Sequence, residues 1–359
     1  MSRERRIRPG LGLAAALAAS GLLLMVPPAA HGGRTPPTPA ALAWPGVQRD
    51  VIAAALPDGA AYEPAAFVDA HTSVGAARSP NGKVLRLVRR GPASAVTQIR
   101  ALPAGSNPSF QAVTVAGDVV AWFERAGPGR LTLWAAGLRD GRPARPVTAD
   151  TGQARFYRSD NDLVVADGRF RWVAAGPGGV TEVRSVAVTG GPVEVRTVPG
   201  TWRIAGWPWL VDGVAESAGA GTLRNLATGQ DVAVTRTRKG ATDCSPAWCR
   251  VVSLDRDGFT RIELLRPGGG DRREIAGGAA ATEIVDVAPL GRFEVFVRIG
   301  AASELTGNAQ LLVHEVATRR TVEISPDAGA VGYRGGVLWW STGSQETFVR
   351  HSLDLRTAP

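Results

Sequence analysis

Apolar and polar residues alternate along most of this chain in short runs, each broken by Gly, Pro or Asp. Phe110 to Val115, Val119 to Glu124 and Leu131 to Ala136 read as three successive strands, with Arg145 to Thr148 as a fourth. Gly117-Asp118 and Gly127-Pro128-Gly129 supply the turns. The next stretch follows the same plan: Leu163 to Ala166, Arg169 to Val173, Val183 to Val188 and Val193 to Val198. Beyond the N-terminal segment no window sustains a 3.6-residue period with caps, so helices are not expected.

One phrase recurs, a Gly-containing turn followed by a strand ending in an aromatic. It stands at Gly117 to Trp122, Gly168 to Trp172, Gly291 to Phe296 and Gly336 to Trp340, with weaker copies at Gly82 to Leu85, Gly206 to Leu210 and Trp248 to Val252. The seven copies run from Gly82 to Gly336, about 42 residues per repeat. Four short strands in such a repeat define an antiparallel propeller blade. The expectation is an all-β chain forming a single β-propeller, most simply of seven blades with four antiparallel strands each. Trp122, Trp172 and Trp340 would fill the wedges between blades, each indole N–H meeting a backbone carbonyl. The last repeat reads Val331 to Tyr333, Val337 to Ser341 and Thr347 to Leu355, then runs out. Residues 50–56 are free to supply its fourth strand and so tie the ring.

The N-terminus changes the picture. Arg3, Arg5, Arg6 and Arg8 precede an apolar run from Leu11 to Val26, short for a membrane span and suited to a signal-peptide core. Residues 1–32 are read as a signal peptide, with an uncleaved membrane anchor as the alternative. No Cys follows the run, which excludes a lipid-modified N-terminus. Residues 33–49 carry Pro36, Pro37, Pro39 and Pro45 and are expected to be an extended, unpacked linker, leaving 50–359 as the propeller.

The chain of 359 residues has 41 Lys and Arg against 32 Asp and Glu, a formal charge of +9. Almost all the cations are Arg, consistent with a codon bias or with attraction to an anionic envelope polymer or acidic partner. The mature chain has no block of like charge and no Arg/aromatic module, so nucleic-acid binding is not expected.

Cys244 and Cys249 are the only cysteines. In an exported chain they are read as a disulfide stapling one hairpin, contributing about 2 kcal/mol. Ser245-Pro246 and Ser79-Pro80 are taken to occupy equivalent turns. Two Cys without further ligands do not make a zinc site. His71, His314 and His351 lie whole repeats apart, and no Gly-x-Ser-x-Gly elbow is present. Ser253 to Thr260 fits neither a calcium loop nor an Asp-box and reads as a hairpin turn. Asp160, Asn161 and Asp162 are read as another turn. No catalytic residue, metal site or cofactor is therefore expected. Three or more carboxylates converging at a channel mouth would instead favour a carbohydrate-active enzyme. The densest unusual feature is Trp202, Trp207 and Trp209 with Pro208. It is either blade core or an exposed platform for a sugar or partner peptide.

Several phrases carry a family resemblance: Ala66 to Gly75, Asn107 to Phe110, Trp207 to Leu210, Cys244 to Val251 and Gly335 to Gly343. On these the chain resembles exported actinobacterial proteins described as TolB-like translocation proteins, built on WD40/TolB-type propellers. The resemblance implies a secreted β-propeller. The likeness to TolB itself rests on architecture and the turn Ser79-Pro80-Asn81-Gly82-Lys83. TolB is a periplasmic interaction protein with a second, N-terminal domain, for which no room is expected before the first repeat. The resemblance transfers no catalytic residue. The function expected is that of a monomeric, non-catalytic interaction or scaffold module of the cell envelope, its partner a protein or glycan. A carbohydrate-binding or carbohydrate-active propeller using its channel face is the alternative. Membrane contact is expected only through an uncleaved signal.

Overall fold

The computed structural model describes residues 36–359 except 130, 214–218, 237–239, 301–302 and 345–347; the segment read as a signal peptide lies outside the described residues. Seven antiparallel sheets form the blades of a β-propeller. Blade 2 shows the unit: Ser109–Ala116 innermost, then Val119–Arg125, Thr132–Gly137 and Arg145–Thr148 outermost. Both faces of the second strand are covered by neighbouring blades, so Val120 to Phe123 are all buried. Its Trp122 is T-shaped against Phe110 and stacked on Trp134. The Trp172 indole donates to the Thr151 carbonyl at 3.0 Å as expected, whereas Trp122 points to the Glu124 carboxylate at 3.4 Å.

The ring closes as the sequence suggested. Blade 7 takes Val331–Arg334, Val337–Thr342 and Val349–Asp354 from the C-terminus, and its outer strand is Arg49–Ile52. Asp50 stands opposite Ser352. The Pro-rich stretch before it is not the unpacked linker its composition implied. Thr38–Pro39 pairs in parallel with Val322 and Glu323 on the outer edge of blade 6. Trp44 is wholly buried, edge-on to Phe293 at 5.7 Å in the core shared by blades 6 and 7. Prolines only restrict the backbone here; burying one indole contributes about 2–3 kcal/mol, enough to dock the segment.

A second difference concerns phase. In blade 1 the strands are Tyr62–Phe67, Ser73–Arg78, Val84–Arg90 and Val96–Pro103. Gly82 therefore lies between second and third strands, while Gly117, Gly168, Gly291 and Gly336 lie between first and second. The turn equivalent to Ser245-Pro246 in blade 1 is 68–72, not Ser79-Pro80. Asp69 organises that turn by accepting from the His71 and Thr72 amides at 2.8 and 2.7 Å. Asn81 and Ser79 play the same capping role one turn later, which is why the two looked alike. Among the described residues no helix is long and apolar enough to cross a membrane.

Candidate functional site

Blade 3 breaks the pattern on its inner edge. Two short strands, Gln153–Ala154 and Val164–Ala166, share the partner Arg169–Ala175. Ala154 stands opposite Ala174 and Val164 opposite Arg171, so ten steps along the inner edge answer to three along its neighbour. The surplus of seven residues leaves the sheet. Its regular part is the single 3-10 turn Asp160–Asp162. Ser159 Oγ accepts from the Asn161 amide at 3.0 Å, and the Asp162 carboxylate accepts from the Ser159 amide at 3.2 Å, a reciprocal cap. Asp162 also accepts from the Tyr157 amide at 2.9 Å.

This turn packs on the inner strands of blades 2 and 4, Ser109–Ala116 and Arg203–Gly206. Hydrogen bonds tie it to blades 6 and 7. Asp286, between the strands Ala280–Thr282 and Phe293–Arg298 of blade 6, accepts from Ser159 Oγ, the Asp160 amide at 2.9 Å and Asn161 Nδ2 at 3.3 Å. Asp160 accepts from the Gly335 amide of blade 7 at 2.9 Å. A segment of blade 3 that meets blades 2 and 4 on its own side and blades 6 and 7 opposite crosses the axis of the ring. The insertion plugs the channel.

The blade 6 connection that carries Asp286 is itself braced. Glu294 is buried and accepts from the Ala288 amide and from Arg250 of blade 5, both at 2.7 Å. Arg250 also donates to the Val285 carbonyl at 3.2 Å. Burial pushes the Glu294 carboxyl upward, and the adjacent guanidinium opposes it.

Beside the plug is a cavity of about 360 Å³, bounded by Asp160, Asn161, Asp286, Arg203, Tyr333 and Pro246. It opens where inner strands turn into second strands, at 244–247 of blade 5 and 286–291 of blade 6, with Tyr333 of the blade 7 inner strand in its wall. Desolvation pushes Asp160 above the ordinary carboxylate value and Asp162 up to about 6. It raises the Tyr333 hydroxyl as well. Arg334 holds both aspartates down in part, and its Nη1 is buried without a hydrogen-bond partner. Three carboxylates, Asp160, Asp162 and Asp286, thus converge at the channel end. The residues read from sequence as a plain turn are the axial cluster; the signal for it was the Ser159-x-x-Asp162 capping spacing.

The tryptophans singled out in sequence do not make one surface. Trp202 is buried and donates to the Pro199 carbonyl at 2.6 Å, packed with Val173 and Val183 between blades 3 and 4. Trp207 is half-buried against the same cluster, with the Arg171 guanidinium 4.1 Å above its ring. Trp209 packs the other way, toward the core that holds Cys244, Cys249 and Val251. Cys244 and Cys249 are bonded and directly opposed in the first hairpin of blade 5, and Cys244 walls the axial cavity. The histidines stay apart: His71 lies 3.5 Å from Asp50, His314 3.2 Å from Thr321 and His351 2.8 Å from Thr342. Asp255 accepts from the Asp257 and Phe259 amides, making 255–259 the hairpin turn expected. Among the described residues no group of three or more His, Cys, Asp or Glu is disposed to hold a metal ion.

Fold and site together define a seven-bladed propeller with a filled axis. No family model matches the chain, and no curated protein matches it in sequence. Among solved structures it is similar to an oligogalacturonate lyase in complex with manganese, at 10% identity and TM-score 0.53, over 88% of this chain and 97% of that one. It is similar to an uncharacterized protein from Listeria monocytogenes EGD-e, at 10% identity and TM-score 0.50, over 78% and 88%. TolB-like propellers are also among its structural neighbours, including a putative TolB from Agrobacterium tumefaciens at 17% identity and TM-score 0.42, over 67% and 87%. At these identities the likeness establishes the propeller fold and nothing finer.

Proposed function

We propose that this propeller is an exported, monomeric, non-catalytic binding module of the cell envelope. Its partner, a protein or a glycan, engages the face onto which the axial cavity opens. One observation carries the reading: two of the three axial carboxylates, Asp286 and Asp162, have both oxygens engaged by the fold, and Asp160 has one. Asp286 accepts three donors from the insertion, Asp162 two backbone amides and Asp160 the Gly335 amide. A general acid or base needs an oxygen turned toward a substrate proton. Turns around a small, largely apolar cavity with a few convergent polar groups suit recognition. The disulfide and the basic-then-apolar N-terminus support export.

The convergence of Asp160, Asp162 and Asp286, with two of them shifted upward, favours a second reading, a carbohydrate-active enzyme. The two separate in one experiment. The full chain is applied to a glycan array and to peptidoglycan, then left with every glycan it retains. Retention without turnover, lost in Asn161→Ala and Tyr333→Phe, supports the binding module. Turnover lost in Asp160→Asn supports the enzyme and overturns the first reading.

A further inference from the structure

A second cavity, of about 350 Å³, lies on the same face between blades 5 and 6 and shares Ala247 and Gly291 with the axial one. Its polar rim is Arg266, Arg273, Arg292 and Arg319, with Asp271 as the one acid. These residues come from three different turns, at 266–273 of blade 5 and at 289–292 and 316–319 of blade 6, so no single run of the sequence displays them all. Elsewhere in the ring buried or half-buried arginines meet carboxylates closely, as in Arg100–Glu124 at 2.8 Å and Arg184–Glu182 at 2.7 Å. Here four cations face one acid, and the Arg273–Asp271 separation is a loose 3.7 Å.

The guanidinium groups are held for presentation. Trp248 is buried and carries Arg266 at 3.7 Å and Arg273 at 4.8 Å from its ring centroid. Stacking fixes a guanidinium plane while leaving N–H groups at its edge. Arg266 spends one nitrogen on the Ala247 carbonyl, and Arg292 reaches the Ala358 and Pro359 carbonyls. The Arg273 Nε is buried without a partner. Arg319 is exposed and has no hydrogen bond or ion pair among the described residues. The positive field reaches the core, where burial and Arg273 lower His314 to about 4.

Arg319 and Asp271 both sit at positive φ, 58° and 52°, in the turns that rim the cavity. Glycine occupies that region without the steric cost an Arg incurs.

We propose that this groove is a binding site for sugar-borne oxyanions, the phosphate or carboxylate groups of an anionic glycan. The guanidinium fork matches both groups in geometry. The site stands whichever partner the axial cavity serves.

The test is titration of the full chain, at low and physiological salt, with glucose 6-phosphate, glucuronate, inorganic phosphate and neutral glucose. The charged probes bind and glucose does not, with affinity falling as salt rises. The tighter of glucose 6-phosphate and glucuronate identifies a phosphate-bearing or uronate-bearing source. Arg319→Gly lowers that affinity at least about ten-fold while the melting temperature rises, a split that a purely structural arginine would not produce. Arg256→Ala, an exposed arginine in a turn on the opposite face, leaves binding unchanged. The proposal is overturned by absent anion binding, by equal binding of glucose, by Arg319→Gly binding like the parent, or by an equal loss in Arg256→Ala.

Discussion

Blades 2 and 3 have nearly the same sequence phrase and nearly the same sheet, yet they do different things at the axis. In blade 2 a single inner strand, Ser109–Ala116, broken only by a one-residue bulge between Gln111 and Thr114, lines the channel. In blade 3 the equivalent edge is split, and its surplus residues cross to blades 6 and 7. The outer strands repeat because both blades must bury the same wedge of apolar side chains. The inner edge is free of that constraint, since only the channel lies beyond it. The binding function proposed above draws on this edge and on the turns above it.

The comparison can be broken at several strengths. The harshest test removes residues 47–58. If regular blades such as blade 2 sustained the ring unaided, the melting curve would not move. The cooperative transition should instead be lost or lowered steeply, because blade 7 would expose the edge that Arg49–Ile52 covers and Ile52 and Leu56 would leave their core.

Next is Glu294→Ala. It strands the buried Arg250 and frees the connection that carries Asp286, and should cost about 3–5 kcal/mol in denaturant unfolding. A loss under about 1 kcal/mol would show that the bracing of blade 6 is incidental.

The mildest test is acid. Asp162 is raised to about 6 in the folded chain, so the native state holds its proton more tightly than the unfolded state does. Its ionisation weighs against folding at neutral pH, and stability should recover by at most about 3 kcal/mol as pH falls from above 6 toward the unfolded value near 4. Asp160 shifts in the same direction. Asp162→Asn should flatten this part of the pH profile; an equally steep profile in the variant would assign the dependence elsewhere.

What could be read from the sequence follows from the same contrast. The strands of blades 2 and 3, the disulfide hairpin and the closing strand were legible because each is a local pattern of alternation and turn chemistry. The phase of blade 1 was misplaced because Ser79-Pro80-Asn81-Gly82 imitates the turn found one strand earlier in the other blades. Trp44 was hidden by the prolines around it, whose composition says nothing about a single anchoring indole. The axial cluster joins Ser159 to Asp286 across the ring, and the arginine groove joins Arg266 to Arg319. Neither is visible until closure brings distant turns together. The crowded Trp202, Trp207 and Trp209 were conspicuous for the opposite reason: adjacent in sequence, they face different wedges.

The most direct measurement is native-state amide exchange at Asp160, Asn161 and Asp162, with blade 2 as the internal reference. These amides donate to Asp286 Oδ2, Ser159 Oγ and the Ser159 carbonyl. Exchange should be slow in the parent chain, and in Asp286→Ala protection should fall only within the insertion, by about 1–3 kcal/mol for the lost acceptor. Exchange at these amides as fast as in an exposed turn, or protection unchanged in the variant, would contradict a channel plugged and held from across the ring.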